Sequence, residues 1–221
     1  MNKEPFLNVK SVVKADLESW PQLASVLSDA QIVESQQAWR SDLEPGFHPM
    51  WVRTGWTRDA LYVLAEIEDA DIFNPEKQFN ALSFMKGDVF EMFLRPCDQD
   101  AYFEFHVTPE NQKLQLRFPS AAALAAPRAQ PGLPQEWYIC HRIIESRVRV
   151  NVAAQRWEVA AEIPFDLVCE TSQPRSDTRW LFSFSRYDYT RGKERPDLSS
   201  TSPHKVLNFH RQEEWGELRF V

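Results

Sequence analysis

The stretch VFEMFLRPCDQDAYFEFHV, residues 89–107, alternates apolar and polar side chains on both sides of the turn-rich Pro96-Cys97-Asp98-Gln99-Asp100. Alternation with period two marks strands that have two different faces. One hairpin register places Phe90, Met92 and Leu94 with Phe103, Phe105 and Val107 on a wholly apolar face. The opposite face then carries Val89, Glu91, Phe93 and Arg95 beside Tyr102, Glu104 and His106. Glu91 lies across from His106, Phe93 from Glu104, and Arg95 from Tyr102. A slip of one residue would bury charge among the apolar side chains, so the pattern selects this register.

The same alternation recurs outward from this hairpin. It predicts strands over 60–69, 113–118, 147–152, 157–163, 180–187 and 215–221. Eight or more short strands, separated by turn signals and without long interleaved helices, predict an all-β fold: an antiparallel β-sandwich of immunoglobulin or jelly-roll type with short peripheral helices. The helices are expected over 17–30, with Pro21 just inside the start, and over 165–170 after Pro164. The Ala- and Pro-rich segment 119–135 holds prolines at 119, 127, 131 and 134, which forbid one continuous helix, so a long surface loop is expected there. No internal repeat or second boundary appears, and residues 1–221 read as one domain.

Composition narrows the function. The chain has 221 residues, a net charge of −7 and 26% charged residues. Its 25 Lys and Arg are scattered, which argues against a nucleic-acid partner, because such binding needs clustered cations to displace counterions. With only 6 Gly, the sequence contains neither GxGxxG nor a Walker A loop. No apolar run is long enough for a secretory leader or a membrane span, so the expectation is a soluble protein, cytoplasmic or a mature secreted or periplasmic form. Cys97, Cys140 and Cys169 are odd in number, lack CxxC spacing and read as free thiols. The 15 Phe, 8 Trp and 5 Tyr suit a large β core or a surface that stacks on flat ligands. Among the tryptophans, 20, 39, 56, 157 and 180 are expected in the core, while 51 and 137 border loops and stay open.

The polar face of the hairpin supplies the candidate site. Carboxylates at Glu91 and Glu104, the His106 imidazole, the Arg95 guanidinium and flanking rings could hydrogen-bond sugar hydroxyls while a ring stacks on a pyranose. The alternative is a solvated sheet face with cross-strand ion pairs. The residues alone divide evenly between the two.

Several segments in order resemble carbohydrate-binding module family 9-like domains, within the DOMON-like β-sandwich group. They are Asp16-Leu17-Glu18-Ser19-Trp20; Val52 to Trp56 with Ala60-Leu61-Tyr62-Val63 and Asp69-Ala70-Asp71-Ile72; Gly87-Asp88-Val89-Phe90-Glu91-Met92-Phe93; Tyr102-Phe103-Glu104-Phe105; Trp157-Glu158-Val159 with Ile163-Pro164-Phe165; and the closing Ser185-Arg186-Tyr187, Ser202-Pro203, Phe209-His210 and Trp215 to Phe220. The resemblance implies a non-catalytic domain that clamps a sugar between two Trp and holds it with acidic, Asn and Arg side chains. Glu91 matches the acidic position of the family's strand, and Arg117 and Arg186 are candidates for further polar contacts. The sequence departs from the family at the clamps. Phe84 stands where the first Trp is expected, and 198–203 contains no Trp where the second is sought, with Tyr187, Tyr189 or Trp215 as substitutes. No cofactor is required; the resemblance implies structural calcium, for which Asp69 and Asp71 are candidate oxygen donors, an acidic strand-end turn being the other reading. Three rival functions stay open. These are a glycoside hydrolase using Glu91, Glu104 or the Glu66/Glu68 pair, a haem-b electron-transfer domain with Met and His ligands, and a protein-interaction domain without a sugar ligand.

Overall fold

The alternating blocks become strands in a computed structural model of the chain, which describes residues 5–126 and 132–221. In chain order the elements are β1 (Phe6–Ser11), α1 (Trp20–Val26), β2 (Ile32–Glu34), β3 (Met50–Trp56), β4 (Ala60–Glu68), β5 (Val89–Pro96), β6 (Tyr102–Val107), β7 (Lys113–Phe118), α2 (Ala121–Ala125), β8 (Glu145–Asn151), β9 (Arg156–Pro164), α3 (Phe165–Val168), β10 (Arg179–Asp188), β11 (Asp197–Ser200) and β12 (Gly216–Phe220). Strands join in the order β7-β6-β5-β10-β12-β1-β3-β4-β9-β8, with β11 added to β10 and β2 to β3. The chain is therefore mostly β: one large curled sheet with a few short helices.

The expectation of purely antiparallel strands is corrected by β1. This strand runs parallel to β12 (Phe6 opposite Glu217) and to β3 (Lys10 opposite Gly55), so the sheet is mixed. Its alternation is short, with only Leu7 and Val9 buried. Its neighbour β12 comes from the far end of the chain, so no turn signal announces the pairing.

Curling brings the two flanks of the sheet onto one core. Phe90, Met92, Leu94, Phe103 and Phe105 from β5 and β6 pack in the same cluster as Val52, Leu61, Val63, Trp157 and Val159 from β3, β4 and β9. Each of these side chains, removed from water, contributes about 1.5–3 kcal/mol. The hairpin register is the one the alternation selects, with Glu91 opposite His106 and Phe93 opposite Glu104.

Trp157 and Trp180 are fully buried and Trp137 nearly so, whereas Trp20, Trp39, Trp51 and Trp56 are half-buried. Cys97 and Cys140 are exposed and Cys169 half-buried, all three free thiols. Within the expected 119–135 loop, Ala121–Ala125 forms a helix because the Ser120 side chain accepts from the Ala123 N–H and caps it. Residues 127–131 of that segment lie outside the described residues.

Candidate functional site

The outer face of β5 and β6 does not lie open. A segment running from Ser202 to Trp215 crosses it and forms a second buried cluster in which Phe209 and Trp215 pack with Phe93, Tyr102, Phe118 and Trp137. Glu214 pins this strap, accepting from Lys205 N and the Arg211 guanidinium and contacting His204 Nδ1 at 3.3 Å. Trp215 Nε1 donates to the carbonyl of Phe209 at 2.7 Å. Neither an open groove nor a solvated face describes the result. Apolar side chains cover much of the face, and a pocket remains over its polar island.

Gly87 and Asp88 set the other wall. A Cβ on Gly87 would stand 2.5 Å from the Phe73 carbonyl oxygen, so only glycine lets the start of β5 approach that backbone. Asp88 then accepts from the N–H groups of Phe73 and Tyr189. Asn74 ties the same turn to Ser83, which opens the short 3₁₀ turn carrying Phe84, and Tyr189 Oη donates to the Phe84 carbonyl at 2.8 Å. Phe84 consequently packs against His106 (centroids 5.8 Å apart) and Tyr187 (5.4 Å).

Between these walls lies a pocket of about 350 Å³. Phe84, Tyr187, Phe93 and Phe209 give it aromatic sides, and Glu91 and Glu104 form its floor. His210 and Asn208 from the strap complete the lining with Leu207. His106 lies beneath, fully buried, with Nε2 2.5 Å from Glu104 Oε1 and 3.1 Å from Glu91 Oε1. His210 Nδ1 shares a hydrogen bond of 3.0 Å with Tyr102 Oη, while its Nε2 faces Glu104 Oε2 at 3.7 Å.

The electrostatics follow from two acids around one imidazole. Burial, reinforced by Glu104, pushes the Glu91 carboxyl up to about 8 against the pull of His106. For Glu104, burial opposes ionisation, but the charge and hydrogen bond of His106 prevail and hold the carboxyl below its usual range. Burial likewise opposes the charged form of His106, and the two carboxylates outweigh it and keep the imidazole above its ordinary value. Burial pulls His210 down. The two acids are thus split, Glu104 held toward the ionised form beside His106 and Glu91 toward the protonated one.

The structure brings together Glu91, Glu104, His106, Phe84 and Tyr187. It does not bring in the three arginines. Arg95 shares the face but sits toward its other end, where it donates to Gln212 Oε1 at 2.7 Å. Arg117 belongs to the opposite face, because it pairs with Phe103 in the register, and it forms an exposed ion pair with Glu170. Arg186 pairs with Phe90 and so also points away from Glu91; it is fully buried among Asp69 and Asp188, 3.0 Å from each. Sequence reasoning did not include Phe209, His210 and Asn208 in the site. The Phe209-His210 pair is visible in the sequence, but nothing local tells that the segment folds back over β5 and β6.

Asp69 and Asp71, the candidate calcium ligands, are engaged by donors of the protein itself. Asp69 accepts from Asp71 N and Trp157 Nε1 and contacts Arg186, and both oxygens of Asp71 engage Arg191. All four oxygens already serve protein donors, with guanidinium groups supplying the positive charge.

Fold and site together define a mostly-β chain whose curled sheet carries an aromatic-sided, acid-floored pocket on one outer face. No family model and no curated protein matches the sequence. Solved structures do share the fold. One is a protein from Bacteroides uniformis to which carbohydrate binding has been attributed, with a TM-score of 0.75 and 16% identity over 99% of this chain and 100% of that one. Another is a carbohydrate-binding module of family 9 from Caldicellulosiruptor kristjanssonii in complex with cellotriose, with a TM-score of 0.66 and 14% identity over 98% of this chain and 93% of that one. A family 9 module from the same organism in complex with glucose gives a TM-score of 0.62 at 14% identity over 99% and 96%. The chain shares its fold with these family 9 modules.

Proposed function

We propose that the chain is a non-catalytic carbohydrate-binding domain and that the pocket floored by Glu91 and Glu104 takes one sugar ring. The observation that carries this reading is the convergence of two buried carboxylates and an imidazole under aromatic walls, in a volume suited to a small ligand. Rings such as Phe84 and Tyr187 offer apolar faces to a pyranose, and the carboxylates accept from its hydroxyls. The likeness of fold to sugar-bound modules supports the same reading.

The arrangement favours binding over hydrolysis. Glycosidases set two carboxyl groups on either side of the scissile bond. Here both carboxylates contact the same nitrogen, His106 Nε2, and so form one floor instead of two opposing flanks. Haem ligation is not favoured either, because Met92 and His106 lie on opposite faces of the sheet and Met50 is enclosed in the core.

Calorimetric titration with mono- and oligosaccharides tests the proposal on the wild-type protein and on Glu91→Ala. Saturable binding that weakens in the variant supports it. Equal binding by both proteins removes Glu91 from the site.

A further inference from the structure

The lining of the pocket is chemically one-sided. Among the residues that form it there is no Lys or Arg, and its charged lining consists of two almost wholly buried carboxyl groups. Glu104 is 5% exposed, and its Oε2 has no hydrogen-bond partner: His210 Nε2, the nearby polar group at 3.7 Å, stands beyond hydrogen-bond reach. An unsatisfied carboxylate oxygen in such surroundings calls for a donor, preferably a charged one. Above it stand the rings of Phe84, Phe93, Tyr187 and Phe209. Aromatic faces around carboxylates attract organic cations through the ring quadrupole.

We propose that the sugar recognised by this pocket is an amino sugar, whose ammonium group sits against Glu104 Oε2 within the aromatic walls. This rests on the sugar-binding reading and names the class of sugar. A neutral sugar brings no charged donor to Glu104 Oε2, and a uronic acid brings a further anion against Glu104. An ammonium provides three donors and a second positive charge, which together with His106 balances both acids once Glu91 ionises. Its arrival also disfavours the proton on Glu91, so binding is coupled to release of that proton. The titratable groups facing Glu91 are Glu104 and His106 from β6 and Tyr187 from β10, with His210 of the strap facing Glu104.

The test is calorimetry on the wild-type chain at pH 6.5 with glucosamine, glucose, N-acetylglucosamine and glucuronate, each in two buffers of different ionisation enthalpy. Glucosamine is expected to bind about tenfold or more tighter than glucose or N-acetylglucosamine, the ratio that a partly desolvated cation–aromatic contact with a carboxylate supplies. Glucuronate is expected not to bind, and glucosamine to release a proton whose appearance is lost in Glu91→Gln. Glu104→Gln is expected to abolish the preference for the amine. Glucose binding as tightly as glucosamine, or a preference that survives in Glu104→Gln, overturns the inference and leaves the sugar reading intact. Failure of all four sugars to bind overturns the sugar reading, and the amine inference falls with it. The ligand comparison uses the native protein, so a variant that fails to fold does not remove the test.

Discussion

The molecule buries two clusters of acids, and they are treated oppositely. On the inner side, Asp69 and Asp188 contact Arg186 Nη2, while Asp88 accepts from two backbone N–H groups and Asp69 from an indole and a third N–H. Arg186 Nη1 donates to the carbonyls of His48 and Glu68, so the guanidinium ties several loops together. On the outer side, Glu91 and Glu104 meet one imidazole, and Glu104 Oε2 and His106 Nδ1 are left without hydrogen-bond partners. The first cluster is closed around an internal cation and opens onto no described pocket. The second opens into one. Arg186 Nε and Nη2 also lack a well-aligned hydrogen bond, so what separates the structural network from the binding floor is the buried guanidinium within the first and the pocket above the second.

Removing the internal cation breaks the comparison most severely. Arg186→Met leaves Asp69 and Asp188 facing each other in the interior, and breaking a buried ion pair from one side costs about 3–5 kcal/mol. Urea denaturation of the variant should show a loss of that size. The same experiment on Arg186→Met with Asp69→Asn and Asp188→Asn should recover much of it, because no uncompensated charge remains. A loss below about 1 kcal/mol, the size typical of exposed pairs, would show that the inner cluster is not a structural network.

The outer cluster should respond through binding and not through folding. Glu91→Ala should weaken sugar affinity by roughly two- to tenfold, the range of about 0.5–1.5 kcal/mol for a hydrogen bond to an uncharged group. Its midpoint in urea should move far less than that of Arg186→Met. If Glu91→Ala instead unfolds the chain as readily, the two clusters are equivalent and the outer one is structural.

The pH dependence sharpens the comparison further, with a smaller effect. Burial pushes Glu91 and Asp88 up to about 8 and Asp188 up to about 6. Between about 4.5 and 8 the folded chain therefore holds protons that the unfolded chain has already released, so its stability falls as pH rises through this window. The raised His106 acts in the same direction above 6.5, its stabilisation being present below that value and lost as pH climbs. The lowered Glu104 acts oppositely, its contribution being present above 4.5 and lost in acid. Thermal unfolding should thus peak in mild acid and decline toward pH 8. Glu91→Gln should flatten the decline by its own share, leaving the part due to the inner aspartates. An unchanged slope in that variant would mean that Glu91 is ionised at neutrality.

The contrast also marks what the residues could reveal before any coordinates. The hairpin register was legible because six apolar side chains at period two leave no other arrangement, and with it came the meeting of Glu91 and His106. The inner cluster was not legible. Arg186 sits in a strand that alternates Phe182, Phe184, Arg186 and Asp188 on one face, and nothing local distinguishes a guanidinium that enters the core from one that reaches a ligand. The pocket wall was hidden for another reason: Phe209 and His210 reach Phe93 and Tyr102 across more than a hundred positions, through an irregular strap. β1 escaped because its partners are fixed by chain closure and not by a turn. Local periodicity records which face a side chain takes; it does not record what covers that face.

Arg117 provides the weakest perturbation and a control for both clusters. It is on the face opposite Glu104, on an outer strand, and its ion pair with Glu170 is two-fifths exposed on both sides. Solvent screens such a pair, and holding two long side chains in register costs entropy, so its contribution is about 0–1 kcal/mol. Arg117→Ala should shift the urea midpoint slightly, less still in high salt, and leave sugar affinity unchanged. Loss of affinity in this variant would mean that the ligand reaches around the edge of β7, and the pocket between the strap and the Phe84 turn would then be only part of the site.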